Sequence, residues 1–167
     1  MNRRPFLAAC GLGIGAFGGC LGVGPAAAPS LPEGVRVSTT HLEADALADG
    51  SDRNADFPEW KAEYHTVVAD EAAAADRLVD DSPVDGFVAE TNFDESVLIV
   101  VQNGMQSEMV LVLDAIERRE AGLRLDVSID APQGGPDDLR IHSLLVRLTD
   151  PDRRVPESVA VDIEGYV

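Results

Sequence analysis

Three residues, His41, Glu43 and Asp45, alternate along the chain in the spacing that a metal site on a β-strand requires. Alternate side chains of a strand point to the same side, and an imidazole with two carboxylates suits a divalent cation. An acid-rich surface explains the same residues more simply, because acidic residues occur along the whole chain. We therefore assign no metal ligand and no cofactor, and divalent-metal or solute binding is an alternative hypothesis. The other histidines, His65 and His142, are predicted to be ordinary strand residues.

Serine residues are the remaining candidates for nucleophilic chemistry. Ser38, Ser96, Ser107 and Ser143 all lack the Gly-x-Ser-x-Gly context that exposes a nucleophile on a strand-to-helix turn. No histidine stands at a spacing that would pair it with one of them. The oxygen-rich residues 49–56 lack the alternating aspartates and the glycine of a calcium-binding loop. The sequence indicates no catalytic residue, and the protein is predicted not to be an enzyme.

The first residues of the chain have a composition of their own. Arg3 and Arg4 precede an apolar, glycine-rich run, and no acidic residue occurs before Glu33. A charged start followed by a short apolar stretch describes a secretory signal rather than a part of the fold. The run Arg-Arg-Pro-Phe-Leu resembles the twin-arginine export motif. The resemblance implies that Arg3 and Arg4 form the export signal and that the protein is exported in its folded state.

Cys20 is the residue on which the predicted membrane attachment depends. The tetrapeptide that ends at this cysteine, Phe-Gly-Gly-Cys, resembles a lipobox, which is cut before a cysteine that then carries a lipid. Cleavage after Ala28 and an uncleaved anchor are the alternatives. The predicted divisions are a signal peptide over residues 1–19, a Pro/Gly/Ala tether over residues 20–33 and a single β-rich domain over residues 34–167. A lipid on Cys20 would fasten this domain to the outer face of the cell membrane.

The charge of the chain excludes several partners. Asp and Glu number 30 against 13 Lys and Arg, which gives a formal net charge of −17. Nucleic acids would be repelled, so no nucleic-acid partner is expected. All the basic residues except Lys61 are arginine, and the acidic residues are spread rather than gathered in a tail. This composition resembles that of secreted proteins of halophilic archaea. At about 1 M salt the Debye length is about 3 Å, and surface carboxylates no longer repel one another.

The chain positions these residues mainly on strands. Apolar or alternating segments predict seven strands, and Ala121-Gly122 predicts a hairpin between the fourth and the fifth. One short helix is predicted from Asp70, which can cap its first turn, to about residue 80, and Ser82-Pro83 stops it. The predicted strands cover residues 35–39, 64–68, 97–101, 109–116, 123–130, 139–148 and 159–163. This order predicts a mainly β fold, a small antiparallel β-sandwich or barrel.

The sixth predicted strand changes its hydrophobic phase. Leu139 and Ile141 occupy odd positions, whereas the apolar residues after His142-Ser143 occupy even positions. An extra residue in the strand would bring both sets to the same face. We therefore predict a β-bulge at His142-Ser143.

The order of the central elements resembles that of a known family. A strand and a helix are followed by Asn92-Phe93-Asp94 and then by a buried strand and a hairpin. In this respect residues 60–165 resemble the C-terminal domain of the protease-complex subunit PrcB. The resemblance implies a related fold and an accessory role in extracellular proteolysis, and it carries over no catalytic residue.

Together these features predict a lipoprotein of the cell surface of a halophile. Its expected role is that of a non-enzymatic binding or envelope-associated module, attached to the membrane through Cys20 and able to bind an unidentified protein partner or ligand. A hydrolase or accessory subunit in extracellular proteolysis is the second hypothesis. Binding of a divalent metal or solute is the third.

Overall fold

The computed structural model describes residues 28–48, 64–120, 122–131, 138–152 and 155–165. Within these ranges the chain forms seven strands and two helices. The strands are β1 (Arg36–Leu42), β2 (Tyr64–Val68), β3 (Ser96–Gln106), β4 (Val110–Arg119), β5 (Gly122–Asp130), β6 (Leu139–Thr149) and β7 (Val159–Glu164). The helices are α1 (Glu71–Arg77) and α2 (Ser82–Ala89). Neither of these helices is long and apolar enough to cross a membrane.

The strands form two sheets, so the fold is a β-sandwich rather than a closed barrel. One sheet has the order β1-β6-β3-β2, and the other has the order β4-β5-β7. The mainly β fold with seven strands is therefore confirmed. One pairing differs from the predicted antiparallel arrangement, because β7 runs parallel to β5. The difference arises because the chain leaves β6 in the first sheet and crosses to the edge of the second before β7 begins, and parallel pairs need such a crossover.

β3 is the central strand of the core. Val97, Ile99 and Val101 pack between the two sheets, and Leu98 and Val100 pack on the other face against the helices. The apolar run in the sequence predicted this burial on both faces. Because successive side chains of a strand point to opposite sides, the four-stranded sheet has two different surfaces: an intersheet face toward β4-β5-β7 and a helix face toward α1 and α2.

The helical region contains one helix more than predicted. Asp70 caps α1 as expected, since its Oδ1 accepts a hydrogen bond of 2.8 Å from the Ala73 backbone. Pro83 does not end this helix but lies in the first turn of a second one, α2. Proline fits there because the first backbone N–H groups of a helix have no intrahelical acceptor. Val84 of α2 is buried against the helix face of the sheet.

The predicted β-bulge at His142-Ser143 is wrong. β6 pairs with β3 in continuous register through both residues, and its pairing with β1 runs without a shift as far as Ser143. His142 lies fully buried on the intersheet face, in line with Leu144, whereas Leu139 on the opposite phase is 51% exposed. The change of hydrophobic phase in the sequence of β6 therefore reflects a polar residue, His142, at an inward position, and not an inserted residue. The register shift lies instead in β4, between Leu113 and Ala115.

Two features hold the connection to β7 against the second sheet. Gly122, at the start of β5, has the Ser158 carbonyl so close that a Cβ would lie 2.0 Å from its oxygen. A larger residue could not occupy this position without moving the backbone. The Asp150 carboxylate, whose side chain is completely buried, pairs with Arg118 of β4 at 2.7 Å. The hairpin between β4 and β5 is confirmed, although Ala121 lies outside the described residues.

Candidate functional site

A cleft opens between the two sheets on the side where β1 faces β4. Its volume is about 340 Å³. One wall consists of the inward residues of β1, Val37, Thr39 and His41, and the other consists of residues 110–113 of β4. Leu144 of β6 completes the described apolar lining. The cleft lies at β1 because this is an edge strand, whose exposed Thr39 lies on the face that the neighbouring strands fill with apolar residues.

The segment before β1 borders this cleft. The backbone of Ser30 forms two hydrogen bonds with β4. Its N–H donates to the Asp114 carbonyl at 2.8 Å, and its carbonyl accepts from the Ile116 N–H at 2.9 Å. This pairing lies at the register shift of β4 and brings Ala28 and Pro29 to the lining of the cleft. The predicted tether therefore joins the domain beside the cleft.

A pair of histidines forms the polar part of this region. His41 lies opposite Leu144 in the pairing of β1 with β6, so His142 is its diagonal neighbour on the same face. The Nε2 of His41 and the Nδ1 of His142 are 3.2 Å apart and share a hydrogen bond. The two rings are nearly parallel, at 21°, with centroids 5.2 Å apart. Such a contact requires one nitrogen to carry the proton and the other to accept it.

Burial keeps the histidine pair uncharged. The pKa of His41 is lowered to about 4, mainly by loss of hydration and also by repulsion from His142, while the nearby Glu43 carboxylate opposes both effects. Burial also lowers the pKa of His142. Both imidazoles are therefore neutral at pH 7. The pair offers the cleft a hydrogen-bonding group without a positive charge.

The other face of the same strands carries a separate polar network. The Ser143 hydroxyl donates to the Ala44 carbonyl at 2.8 Å and accepts from the Ala46 N–H at 3.0 Å. The Gln102 side-chain amide donates to Ser143 at 3.0 Å and to the Asp45 carboxylate at 2.6 Å. Asp45 also accepts from the Leu47 N–H at 2.9 Å. The network fixes the loop after β1 against the sheet.

The three residues considered as metal ligands do not converge. His41 points between the sheets, whereas Asp45 belongs to the network on the opposite face. The Glu43 carboxylate lies 3.4 Å from the Arg140 guanidinium. The strand ends at Leu42, so the alternation that would have placed all three side chains together does not continue. Within the described ranges no group of three or more histidines, cysteines or acidic residues can hold a metal ion.

Two further candidates, Ser96 and His65, form hydrogen bonds within the fold, and several others lie outside the described residues. The Ser96 hydroxyl bonds to Thr149 at 2.7 Å, and neither it nor Ser143 has a hydrogen bond to a histidine within the described chain. The His65 Nε2 lies 2.9 Å from the Val159 carbonyl and joins β2 to β7. The export signal, Cys20 and the oxygen-rich residues 49–56 lie outside the described residues.

Comparison with known proteins gives no relative. No family model, no curated protein and no solved structure matches this chain. The resemblance to PrcB therefore stays a prediction. The cleft itself was missed by the sequence analysis, although one signal was present: Thr39 and His41 follow Val37 at alternate positions, so a strand face that begins apolar continues with a hydroxyl and an imidazole.

Proposed function

We propose that this protein is a non-enzymatic binding module, held on the outer face of a cell membrane by a lipid on Cys20, and that its ligand occupies the cleft between β1 and β4. The observation that carries the proposal is the cleft itself, about 340 Å³ in volume, with a mainly apolar lining in which Thr39 and His41 are the polar residues described. Small-molecule sites commonly combine a largely apolar concavity with a few polar groups.

The polar residues of the described domain support a binding role rather than catalysis. The hydroxyl of Ser143 is engaged in the loop network, and the imidazoles of His41 and His142 bind each other. Catalysis by a serine nucleophile would need a hydroxyl paired with a base at the surface of the site. Binding requires only that the cleft be accessible and that its polar groups accept a partner.

The surface charge supports adaptation of the protein to concentrated salt. Arg124, for example, contacts the carboxylates of both Asp126 and Asp162 and lies 3.9 Å from Glu117. Because Arg119 also pairs with Glu117, three carboxylates share two guanidinium groups here, an excess of acid in agreement with the net charge of the chain. Because dilute buffer leaves such repulsion unscreened, binding is measured in roughly 2 M KCl, where the Debye length is only a few ångströms.

The binding test uses N-phenyl-1-naphthylamine, a neutral dye that fluoresces in apolar sites. The protein is the full chain with Cys20→Ser, which cannot carry the lipid. We expect saturable fluorescence with one dye per chain, and its loss in Thr39→Trp, whose larger side chain fills the cleft from its rim. Ala75→Trp is the control, since Ala75 lines a second groove of about 380 Å³ between α1 and α2. Dye binding that Thr39→Trp leaves intact and Ala75→Trp abolishes would place the site elsewhere.

The anchoring part is tested separately in cells. The wild-type protein should sediment with membranes, and Cys20→Ser should appear in the soluble fraction or accumulate as an uncut precursor. Mass spectrometry of the mature N-terminus identifies the lipid directly. A processed and membrane-bound Cys20→Ser protein would contradict lipid attachment at this cysteine without affecting the test of the cleft.

A further inference from the structure

We propose that the ligand of the cleft is a neutral amphiphile with a single apolar chain and a hydrogen-bonding head group, which contacts Thr39 and His41. This inference rests on the proposed function only in that the cleft is the ligand site, and it does not depend on the lipid at Cys20. Three properties of the cleft support the proposal: its shape, the polar residues of its lining and the lack of charged residues there.

The apolar part of the ligand has a defined place. Leu111, Leu113 and Leu144 are nearly fully buried and form the deep part of the lining, with Val37 beside them. The volume of about 340 Å³ lies near the lower end of the usual range for ligand pockets, which runs from roughly 300 to 1,000 Å³. A cleft of this size suits one aliphatic chain or a small ring system, and not the two chains of a membrane lipid.

The polar residues of the cleft lining lie on β1. Thr39 and His41 are alternate residues and both belong to the lining. The Nε2 of His41 is occupied by His142, which leaves Nδ1 of the same ring without a hydrogen-bond partner among the described residues. The Thr39 hydroxyl can both donate and accept, and Nδ1 takes the role that the tautomer of the pair leaves to it. A hydroxyl, carbonyl or amide head group would satisfy either arrangement.

Charge decides against an anionic head group. None of the described residues that line the cleft carries a charge at pH 7, since the pKa of His41 is lowered to about 4. The adjoining strand β6 carries two arginines, of which Arg140 already contacts the carboxylates of Glu43 and Asp138 and Arg147 contacts that of Glu90. A carboxylate or phosphate in the cleft would therefore lose its hydration without gaining an ion pair. An ammonium group would suffer the same loss of hydration, and in molar salt the acidic surface would attract it only weakly.

A matched series of ligands tests this inference. Decanol, decanoate and decylammonium share the same chain and differ in the charge of the head group. Each is added below its micellar concentration to the full chain with Cys20→Ser in concentrated KCl at pH 7, and displacement of the naphthylamine dye is measured. We expect decanol to bind at least about ten-fold more tightly than either ion, because each ion must be desolvated without a partner.

Two substitutions test the head-group contacts. Thr39→Val keeps the shape of the side chain and removes the hydroxyl, and it should weaken decanol binding about three- to ten-fold. His41→Leu should weaken decanol binding by a similar factor. If the loss of the bond to His142 prevents this variant from folding, Thr39→Val alone tests the head-group contact. Decane, which has no head group, should bind to Thr39→Val no more weakly than to the parent chain, since this substitution makes the lining more apolar. Ala75→Trp should leave the whole series unchanged.

The outcomes separate this inference from the proposed function. Decanoate or decylammonium binding as tightly as decanol would overturn the neutral head group. Equal loss of decanol and decane binding in Thr39→Val would show a change of shape rather than a lost hydrogen bond, and would also overturn it. If the dye binds but no member of the series displaces it, the ligand class is wrong while the binding site stands. If a folded protein binds neither dye nor amphiphile, the proposed function itself fails.

Discussion

His142 and Ser143 are neighbours on β6, but their surroundings on the two faces of the sheet differ. On the helix face, the Ser143 hydroxyl has partners in the loop after β1 and in β3, although the Asp45 Oδ2 of that network is buried without a hydrogen-bond partner among the described residues. On the intersheet face, His142 binds only one ring nitrogen of His41, and its own Nε2 is buried without a hydrogen-bond partner among the described residues.

The difference indicates which polar residues are available for binding. The Ser143 hydroxyl donates one hydrogen bond and accepts two, so it has no capacity left for a ligand. The His41 ring lines the open cleft and uses one of its two nitrogens in the bond to His142, so it retains that capacity. The cleft side of the sheet should therefore respond to ligand, and the helix side should respond mainly in stability.

The largest expected difference concerns two adjacent core leucines. Leu145 is fully buried under the helices, whereas Leu144 lines the open cleft. Leu145→Ala should lower the free energy of unfolding by about 4 kcal/mol, because it leaves a closed cavity. Leu144→Ala should cost only about 2 kcal/mol, since it enlarges a space that solvent or ligand already enters. Urea unfolding in concentrated KCl measures both, and equal losses would contradict the distinction between the two faces.

A smaller loss is expected when the helix-side network is broken. Ser143→Ala removes the acceptor of the Ala46 N–H, whose residue is completely buried, and one partner of Gln102. Leaving such groups unsatisfied should cost about 3 kcal/mol. Ser38→Ala, at an exposed position of β1, is the control and should change the stability little. Dye binding should persist in both variants; its loss in folded Ser143→Ala would show that the two faces are coupled.

The smallest effect is a dependence on pH that originates on the cleft side. The pKa of His41 falls from its ordinary 6.5 to about 4 in the folded protein, mainly through burial. The unfolded chain therefore binds this proton first, so stability is fully present above pH 6.5 and declines as the pH falls toward 4. Between pH 7 and pH 4 the wild type should lose about 2 kcal/mol more than His41→Gln, a value reduced from about 3 kcal/mol because solvent screens the partly exposed imidazole. Parallel pH profiles for the two proteins would show that the pair does not titrate with folding.

The strands were more predictable than the site, for a physical reason. Alternation and apolar runs report which side of a strand faces a core, and they located β3 and β5 correctly. The same rule failed at His142, because a neutral imidazole can occupy an inward position when another imidazole provides a hydrogen-bond partner for its Nδ1. Pro83 was misread because a proline that ends one helix and a proline that begins the next look alike in sequence.

The cleft was beyond prediction because it depends on pairing between distant segments. His41 and His142 are 101 residues apart and meet only through the register of β1 with β6. Likewise, Asp45 does not lie beside His41, as the alternative hypothesis of a metal site required, because Gln102 and the Leu47 N–H donate to its carboxylate on the other face. The local spacing of His41 and Asp45 carried no information about either partner.

The parallel pairing of β7 with β5 also bears on how the protein reaches its native state. β4 and β5 form a local hairpin, but the outer edge of β5 remains open until the chain has completed β6 and crossed between the sheets. Distant contacts of this kind form slowly, and an exposed strand edge can pair with another molecule in the meantime. The yield of refolding should therefore fall with protein concentration, with closure by β7 as the step that ends the risk of aggregation.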